Sequence, residues 1–318
     1  MMPLKISVVA PFFNEGPNVG RFYSAMCALF ESLPKYHFEL VCVDDGSHDS
    51  TLSSLISLAN VDSRIVILEL SRNFGKEAAL TAGIDSSTGA AIIPIDVDLQ
   101  DPPELIADMI ALWEGGAEVV LAKRADRSAD TWLKRITATL FYRFHNLLSS
   151  EVQIPENVGD FRLMDRVVVD ALKRLPERRR FMKGLFAWVG FKTVAVDYIR
   201  APRELGESKF SGWKLWNFAL EGITSFSLIP LKVWTYFGVL GALFAFFYAI
   251  FVIIKTLIFG IDLPGYASLL VVSLFFGSLQ LISLGILGEY IGRIYFESKG
   301  RPLYIVRKHI GANGSSAE

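Results

Sequence analysis

The chain has 318 residues, 52% of them apolar and 20% charged, and its 32 basic and 33 acidic residues leave a net charge of −1. That balance offers no basic surface to a nucleic acid, and the apolar share excludes a disordered or collagen-like chain. A mean hydropathy of +0.37 is too high for an ordinary soluble enzyme, and two cysteines, Cys27 and Cys42, fit a reducing compartment better than a disulfide scaffold. The length suffices for about two folding units of ~150 residues.

The opening MMPLKISVVAPFFNE has neither the long apolar stretch nor the small-residue cleavage site of a signal peptide, and reads as a strand running into a loop. Strand-length runs rich in Val and Ile follow one another at KISVVA (5–10), FELVCVD (38–44), RIVILEL (64–70), AAIIPID (90–96) and EVVLAKR (118–124). Segments with helical apolar spacing separate them near 17–33, 49–60, 75–86 and 102–114. This alternation predicts an α/β fold, a mostly parallel sheet covered on both faces, with its ligand site beyond the carboxyl ends of the strands. Polar clusters fall at those ends: Asn14-Glu15, Asp44-Asp45-Gly46-Ser47, Ser71-Arg72-Asn73 and Asp96 to Asp101. No G-x-G-x-x-G or Walker lysine loop occupies a turn, which argues against a dinucleotide oxidoreductase and a P-loop NTPase.

The sharpest local feature is PIDVDLQDPPE, residues 94–104. In extended chain, residues two apart point the same way, so Asp96, Asp98 and Gln100 are expected on one side. Two neighbouring carboxylates repel unless protonated or bridged by a cation, and hard oxygen ligands favour Mg²⁺ or Mn²⁺. Solvated loop acids are the plain alternative for such a triplet taken alone. Its place at a strand end, with Asp44 and Asp45 ending another strand, favours the cation.

Further on, SGWKLWNFALEGITSFSLIP (211–230) spaces Trp213, Trp216, Leu220 and Ile223 as one helical face, with Lys214, Asn217 and Glu221 between them. It predicts an interfacial amphipathic helix ended by Pro230. Two uncharged stretches follow, 21 residues from Trp234 to Ile254 and 26 from Leu263 to Gly288. At about 1.5 Å per residue the shorter spans roughly 31 Å, the thickness of a hydrocarbon core, so both are expected to cross a membrane. Only Lys255 and Asp262 are charged between them. Lys209, Lys214 and Lys232 lie before the pair, and Arg293, Lys299, Arg301, Arg307 and Lys308 after it, which puts both termini and the first ~210 residues on the cytoplasmic side of the plasma (inner) membrane. Gly285, Gly288 and Gly292 would permit close helix contact and a homo-oligomer. The tail RPLYIVRK is either a strand added to a neighbouring subunit or a basic anchor.

Taken in order, PFFNE, VDDGS, SRNFGKEAAL, DVDLQDPPE, NVGDFRLMDR, RELGESKFSGWKL and GILGEYIGRIYFESKGRPLYIV resemble family 2 glycosyltransferases of GT-A (Rossmann-like) fold. The resemblance covers nearly the whole chain. It points to the polyprenyl-phosphate sugar synthases related to dolichyl-phosphate mannose synthase, most of all to two-span bacterial undecaprenyl-phosphate glucosyltransferases. It implies a catalytic domain over 1–210, a juxtamembrane helix over 211–230, two transmembrane helices over 231–292 and a cytoplasmic tail over 293–318. Pro11, Asn14 and Glu15 would line the base and ribose pocket, with Asp44 reading the base edge. Asp96 and Asp98, with Gln100, would hold Mg²⁺ or Mn²⁺ against the diphosphate. Arg72 and Lys76 would lie near the nucleotide, although Lys76 also reads as an exposed helix lysine. Arg203 and Lys209 would clamp phosphates beside the membrane, with Arg124 a further phosphate candidate or a plain strand-end charge.

The same resemblance implies an inverting, metal-dependent transfer of glucose from UDP-glucose to undecaprenyl phosphate. Asp160, catalytic alongside Asp98, would orient the acceptor or sugar, with Arg162 either pairing with it or forming a structural ion pair. GDP-mannose and a UDP-aminoarabinose-type donor are the alternatives within this chemistry, and a non-catalytic membrane scaffold is the alternative outside it. A processive polysaccharide synthase would carry a Q-x-x-R-W signature and more spans, and the sequence has neither. The expected partners are a nucleotide sugar, a polyprenyl phosphate and the membrane, with no nucleic acid.

Overall fold

The structure, a computed structural model, describes residues 4–125, 155, 157–178, 180, 182–199, 229–259 and 265–311. Eight strands, β1 (Lys5–Phe12), β2 (His37–Asp44), β3 (Ile65–Leu70), β4 (Ala91–Pro94), β5 (Val119–Arg124), β6 (Val158–Asp165), β7 (Thr193–Tyr198) and β8 (Val306–Gly311), form one sheet in the order β7-β5-β6-β4-β1-β2-β3-β8. The neighbours β4, β1, β2 and β3 are parallel, as are β5 and β7, whereas β6 and β8 run antiparallel to theirs. All five strands expected from the Val/Ile runs are present, each within two residues of its expected bounds.

The connecting helices are α1 (Gly16–Ser32), α2 (Thr51–Ala59), α3 (Lys76–Ser86), α4 (Leu105–Glu114), α5 (Arg166–Lys173) and α6 (Met182–Trp188). Because side chains alternate along a strand, each strand feeds two cores. Ile6, Val8, Ala10, Leu40 and Cys42 pack with Phe22 and Met26 of α1 and Ile106 and Met109 of α4 on one face. Val9, Val41 and Val43 pack with Ala79 and Leu80 of α3, Val168 and Val169 of α5 and Leu185 of α6 on the other. Each fully buried Val, Leu, Ile, Phe or Met among them contributes about 1.5–3 kcal/mol relative to exposure. Gly83 lets α3 lie tight on the sheet, since a Cβ there would stand 2.3 Å from Val9 Cγ1.

Two long helices, α7 (Ile229–Phe259) and α8 (Tyr266–Ser298), carry the expected apolar stretches. Both are long and apolar enough to cross a membrane, and residues such as Phe244, Leu257, Phe275 and Leu281 stay more than half exposed. So much uncovered apolar surface on paired helices suits lipid rather than water. Residues 211–228 of the expected interfacial helix lie outside the described residues. Pro230, expected at the end of that helix, lies within α7 (Ile229–Phe259). The contact between α7 and α8 passes Gly241, whose added Cβ would lie 3.4 Å from the Phe276 ring. At Gly285, Gly288 and Gly292 an added Cβ would meet nothing within 4 Å, so among the described residues the glycine stripe brings no helix close.

The tail corrects a further expectation. Rather than reaching a neighbouring subunit or serving as a simple anchor, it returns to its own sheet as β8, antiparallel to β3, with Ile67 opposite Ile310 and Glu69 opposite Lys308. The outer edge of β3 has unpaired backbone groups to satisfy, and the tail satisfies them at no cost in association entropy. Side chains reinforce the return. Tyr304 donates its hydroxyl to Asp85 Oδ2 at 2.9 Å, and the Arg178 N–H donates to Glu297 Oε1 at 2.9 Å.

Candidate active site

The site is assembled where β1, β2, β4 and β6 meet loops at one end of the sheet. After β1, Asn14 takes a left-handed conformation with φ 54°. Its backbone N–H donates to Ser47 Oγ at 3.0 Å and its Oδ1 accepts from the His48 N–H at 2.9 Å, which ties the β1 and β2 loops together. The Glu15 N–H donates to Thr51 Oγ1 at 2.9 Å, and Asn18 Nδ2 donates to Glu15 Oε2 at 2.6 Å. Pro11 lies half-buried in the carboxyl half of β1, opposite Val43. Together these residues form one rim.

Asp44 ends β2, 1% exposed. Its Oδ2 accepts from the Ser47 N–H at 3.2 Å, while its buried Oδ1 has no partner among the described residues. A buried acceptor left in this way costs about 1–3 kcal/mol unless a donor arrives. Asp45, expected only as a strand-end acid, organises the loop opposite. Its two oxygens accept from the backbone N–H groups of Phe74 at 2.7 Å and Gly75 at 2.9 Å. Those bonds fix the start of α3, and with it Lys76. Arg72 stays on the exposed side of the same loop, its guanidinium 4.0 Å from the Phe74 ring.

The stretch after β4 differs from its expected form. The strand ends at Pro94, residues 97 and 98 form a turn, and Leu99 has φ 53°, so Asp96, Asp98 and Gln100 do not alternate along an extended chain. A turn brings them round instead: the Gln100 N–H donates to Asp98 Oδ1 at 3.2 Å. Asp101 is tied down by the Tyr198 hydroxyl, and Arg124, at the end of β5, also reaches Tyr198. That anchors Arg124 beside the carboxylate turn.

The Lys76 side chain stays 47% exposed, as that of a helix-surface lysine would, yet its ammonium is held between two carboxylates. Its Nζ lies 2.7 Å from Asp96 Oδ1, 2.9 Å from Asp96 Oδ2 and 3.1 Å from Asp160 Oδ2. Burial alone would lower the Lys76 ammonium, but the charges of Asp96 and Asp160 outweigh it and hold it well above an ordinary lysine. Burial likewise raises the Asp96 carboxyl, with Lys76 only partly offsetting it. For Asp160 burial pushes up, yet the neighbouring charges of Lys76, Lys183 and Arg162 leave it below the usual value. Asp160 Oδ1 is buried with no partner among the described residues.

Asp160 and Arg162 reach this place because β6 turns them to the face of Val158 and Met164, towards α3 and α6. Arg162 forms no side-chain bridge to Asp160. Its Nη2 donates to the Gly159 carbonyl at 2.7 Å and its Nε to the Asp160 carbonyl at 3.3 Å, and its guanidinium stacks on Phe186 at 3.9 Å. Burial lowers it to about 10. Glu77, which the sequence reading missed, belongs to the same cluster. Burial and then the Asp160 charge raise its carboxyl, and its Oε2 has no partner among the described residues. The available signal was its position: an acid in the first turn of a helix otherwise buried from Ala78 to Ile84.

Beside Arg162 and Lys183 opens a cavity of about 190 Å³, walled by Val119, Leu121, Phe186 and Phe191 among others. Arg203 and Lys209 lie outside the described residues. As for a cation, no third Asp, Glu, His or Cys completes a cage among the described residues. Asp96 and Asp98 are two hard oxygen donors on one turn, a set that suits Mg²⁺ or Mn²⁺ drawing the rest of its shell from phosphate and water.

Comparison with known proteins follows the same outline. Residues 7–173 match the family described as Glycosyl transferase family 2. An uncharacterised glycosyltransferase of Synechocystis sp. is 53% identical over 305 residues, 96% of this chain and 95% of that one. A bactoprenol glucosyl transferase of Shigella phage SfV is 56% identical over 304 residues, covering 96% and 98% respectively. Among solved structures, glucosyl-3-phosphoglycerate synthase from Mycobacterium tuberculosis, with Mn²⁺, UDP-glucose and phosphoglyceric acid, aligns over 70% of this chain and 79% of that one at 18% identity and a TM-score of 0.49.

Proposed function

Since the chain belongs to glycosyltransferase family 2, we propose that it transfers glucose from UDP-glucose to the phosphate of a polyprenyl lipid, with inversion, at the cytoplasmic face of the membrane. The observation that carries this reading is the β3–β8 ladder, which ties the end of an apolar helical pair into the sheet whose loops hold Asp96, Asp98, Lys76 and Asp160. A catalytic site fastened to lipid-facing helices suits an acceptor whose phosphate is polar and whose tail is not. The bactoprenol glucosyl transferase of phage SfV, alike over nearly its full length, supports glucose as the sugar and a polyprenyl lipid as the acceptor.

In this reading Pro11, Asn14 and Glu15 line the nucleoside pocket, and the unpartnered Asp44 Oδ1 accepts a hydrogen bond from the base edge. Asp96 and Asp98, with Gln100, hold Mg²⁺ or Mn²⁺. When bound, that cation offsets the negative charge that builds on the leaving diphosphate. Arg72 stays near the nucleotide and Arg124 near the phosphates. A phosphate monoester has a second pKa near 6 and is largely dianionic at neutral pH, so the acceptor needs little help in losing a proton. Asp160 therefore orients rather than deprotonates. Lys183 and Arg162 offer the lipid phosphate two positive charges beside a cavity with apolar walls. Arg203 and Lys209 would extend that clamp towards the membrane.

In this reading the chain divides into a catalytic unit over 1–210, a juxtamembrane helix over 211–230, two spans over 231–292 and a tail over 293–318 whose residues 306–311 join the catalytic sheet. Two crossings between β3 and β8 put both on one side, and the basic residues flanking the helices favour the cytoplasmic one. The test is transfer by purified protein in detergent, with UDP-glucose, UDP-galactose and GDP-mannose compared on a polyprenyl phosphate, with and without Mg²⁺ or Mn²⁺. A metal-dependent glucosyl lipid made selectively from UDP-glucose is expected. A folded protein that makes no lipid product from any donor would overturn the reading.

A further inference from the structure

Both oxygens of Asp96 are already engaged by an ammonium, at 2.7 and 2.9 Å from Lys76 Nζ. A divalent cation that takes Asp96 as a ligand must either displace that ammonium or sit within a few ångströms of it, against like-charge repulsion. The ammonium has somewhere to go. Asp160 Oδ2 is 3.1 Å away, and Asp160 Oδ1, buried on the same carboxylate, has no partner among the described residues. Lys76 leads α3, and the Phe74 and Gly75 N–H bonds to Asp45 hold its backbone in place, so the exchange needs only a side-chain rotation.

We propose that Lys76 is an exchangeable counter-ion of the cation site: it neutralises Asp96 until a divalent cation arrives, then passes to Asp160 and the phosphates. The inference rests on the reading that Asp96 and Asp98 hold the cation. Lys76 then makes cation binding depend on the nucleotide. The cation alone competes with the ammonium, whereas the cation and a diphosphate together give the displaced ammonium new anionic partners. Lys76 is in this respect a positioning residue, because its charge sets the order in which the site fills.

The experiment is Mn²⁺ titration of the full chain in detergent, with free Mn²⁺ followed by electron paramagnetic resonance, with and without UDP. Wild type is compared with Lys76→Met and Lys76→Gln, which remove the charge, and with Lys76→Arg, which keeps it. A cooperative thermal unfolding transition in detergent reports that each variant is folded. Without UDP, both neutral variants are expected to bind Mn²⁺ at least tenfold more tightly than wild type, and Lys76→Arg to match wild type. The gain in Mn²⁺ affinity that UDP brings should be smaller in the neutral variants by a similar factor. Equal or weaker Mn²⁺ binding by folded Lys76→Met and Lys76→Gln without UDP overturns the inference and leaves the cation reading intact. Absence of Mn²⁺ binding by wild type even with UDP overturns the cation reading, and the inference with it.

Discussion

Replacing Gly46 with alanine tests whether the loop that carries Lys76 is held from below. Gly46 has φ +69°, a left-handed conformation that costs a residue with a Cβ about 1–2 kcal/mol. The added Cβ would also lie 2.6 Å from the Arg72 carbonyl carbon, 2.7 Å from the Asn73 nitrogen and 2.9 Å from the Arg72 Cα. These are backbone atoms, so no rotamer change relieves the contact and the 71–75 segment must move. Overpacking of this kind costs about 1–3 kcal/mol, so the two effects together reach roughly 2–5 kcal/mol. For a unit of about 150–250 residues that corresponds to a fall in melting temperature of about 4 °C or more. Lys76 follows the segment directly, so lipid-linked transfer should fall at least about tenfold, the equivalent of ~1.4 kcal/mol in the transition state. Thermal unfolding in detergent and the transfer assay measure the two effects. Gly20→Ala is the control, since a Cβ there meets nothing within 4 Å. A Gly46→Ala protein that melts and turns over like wild type would show that the loop yields freely, and would refute the reasoning.

Asp160→Asn keeps the shape of the side chain and removes the charge that Lys76 contacts, so turnover should fall about a hundredfold while KM for the donor stays within about twofold. Full turnover would remove Asp160 from its orienting role. Glu39 gives a test of pH dependence. Burial raises its carboxyl, but bonds from Lys5 at 2.7 Å, from Ser7 at 2.6 Å and from the Thr88 N–H at 3.0 Å leave it net below the ordinary value. A carboxyl lowered in the folded state adds stability above its unfolded value and loses it as pH falls through the folded one. The difference in melting temperature between wild type and Glu39→Gln should therefore be widest near neutral pH and shrink below about pH 4. A difference that stays constant with pH would mean that the three bonds do not favour the charged form.

The sheet was legible where hydrophobicity alone builds it. Runs such as ISVVA and IVILEL are buried on both faces, so their composition announces them. Strand β6 was not legible as a strand, because Asp160 and Arg162 occupy the face where alternation would place apolar residues; the site itself erased the pattern. The carboxylate turn shows the converse. Asp96 and Asp98 were identified from residue type and position, but the extended geometry assumed for them failed at Leu99, whose left-handed backbone no β-propensity reveals. Lys76 was ambiguous because a lysine opening a helix looks solvent-bound unless its partners, 20 and 84 positions away in sequence, are already known. Glu77 and the loop-ordering role of Asp45 depend likewise on contacts that only the folded chain brings together.

The pairing of β3 with β8 also bears on how the protein is made. Strand β3 leaves the ribosome before both apolar helices, and its outer neighbour β8 only after them. Until then the edge of β3 is open, and the sheet stays one strand short throughout membrane insertion. If only one helix were inserted, β8 would be stranded on the far side of the bilayer and the sheet would never close. With both helices spanning a membrane as proposed, β8 can meet β3 only in chains whose helical hairpin has gone in and come back.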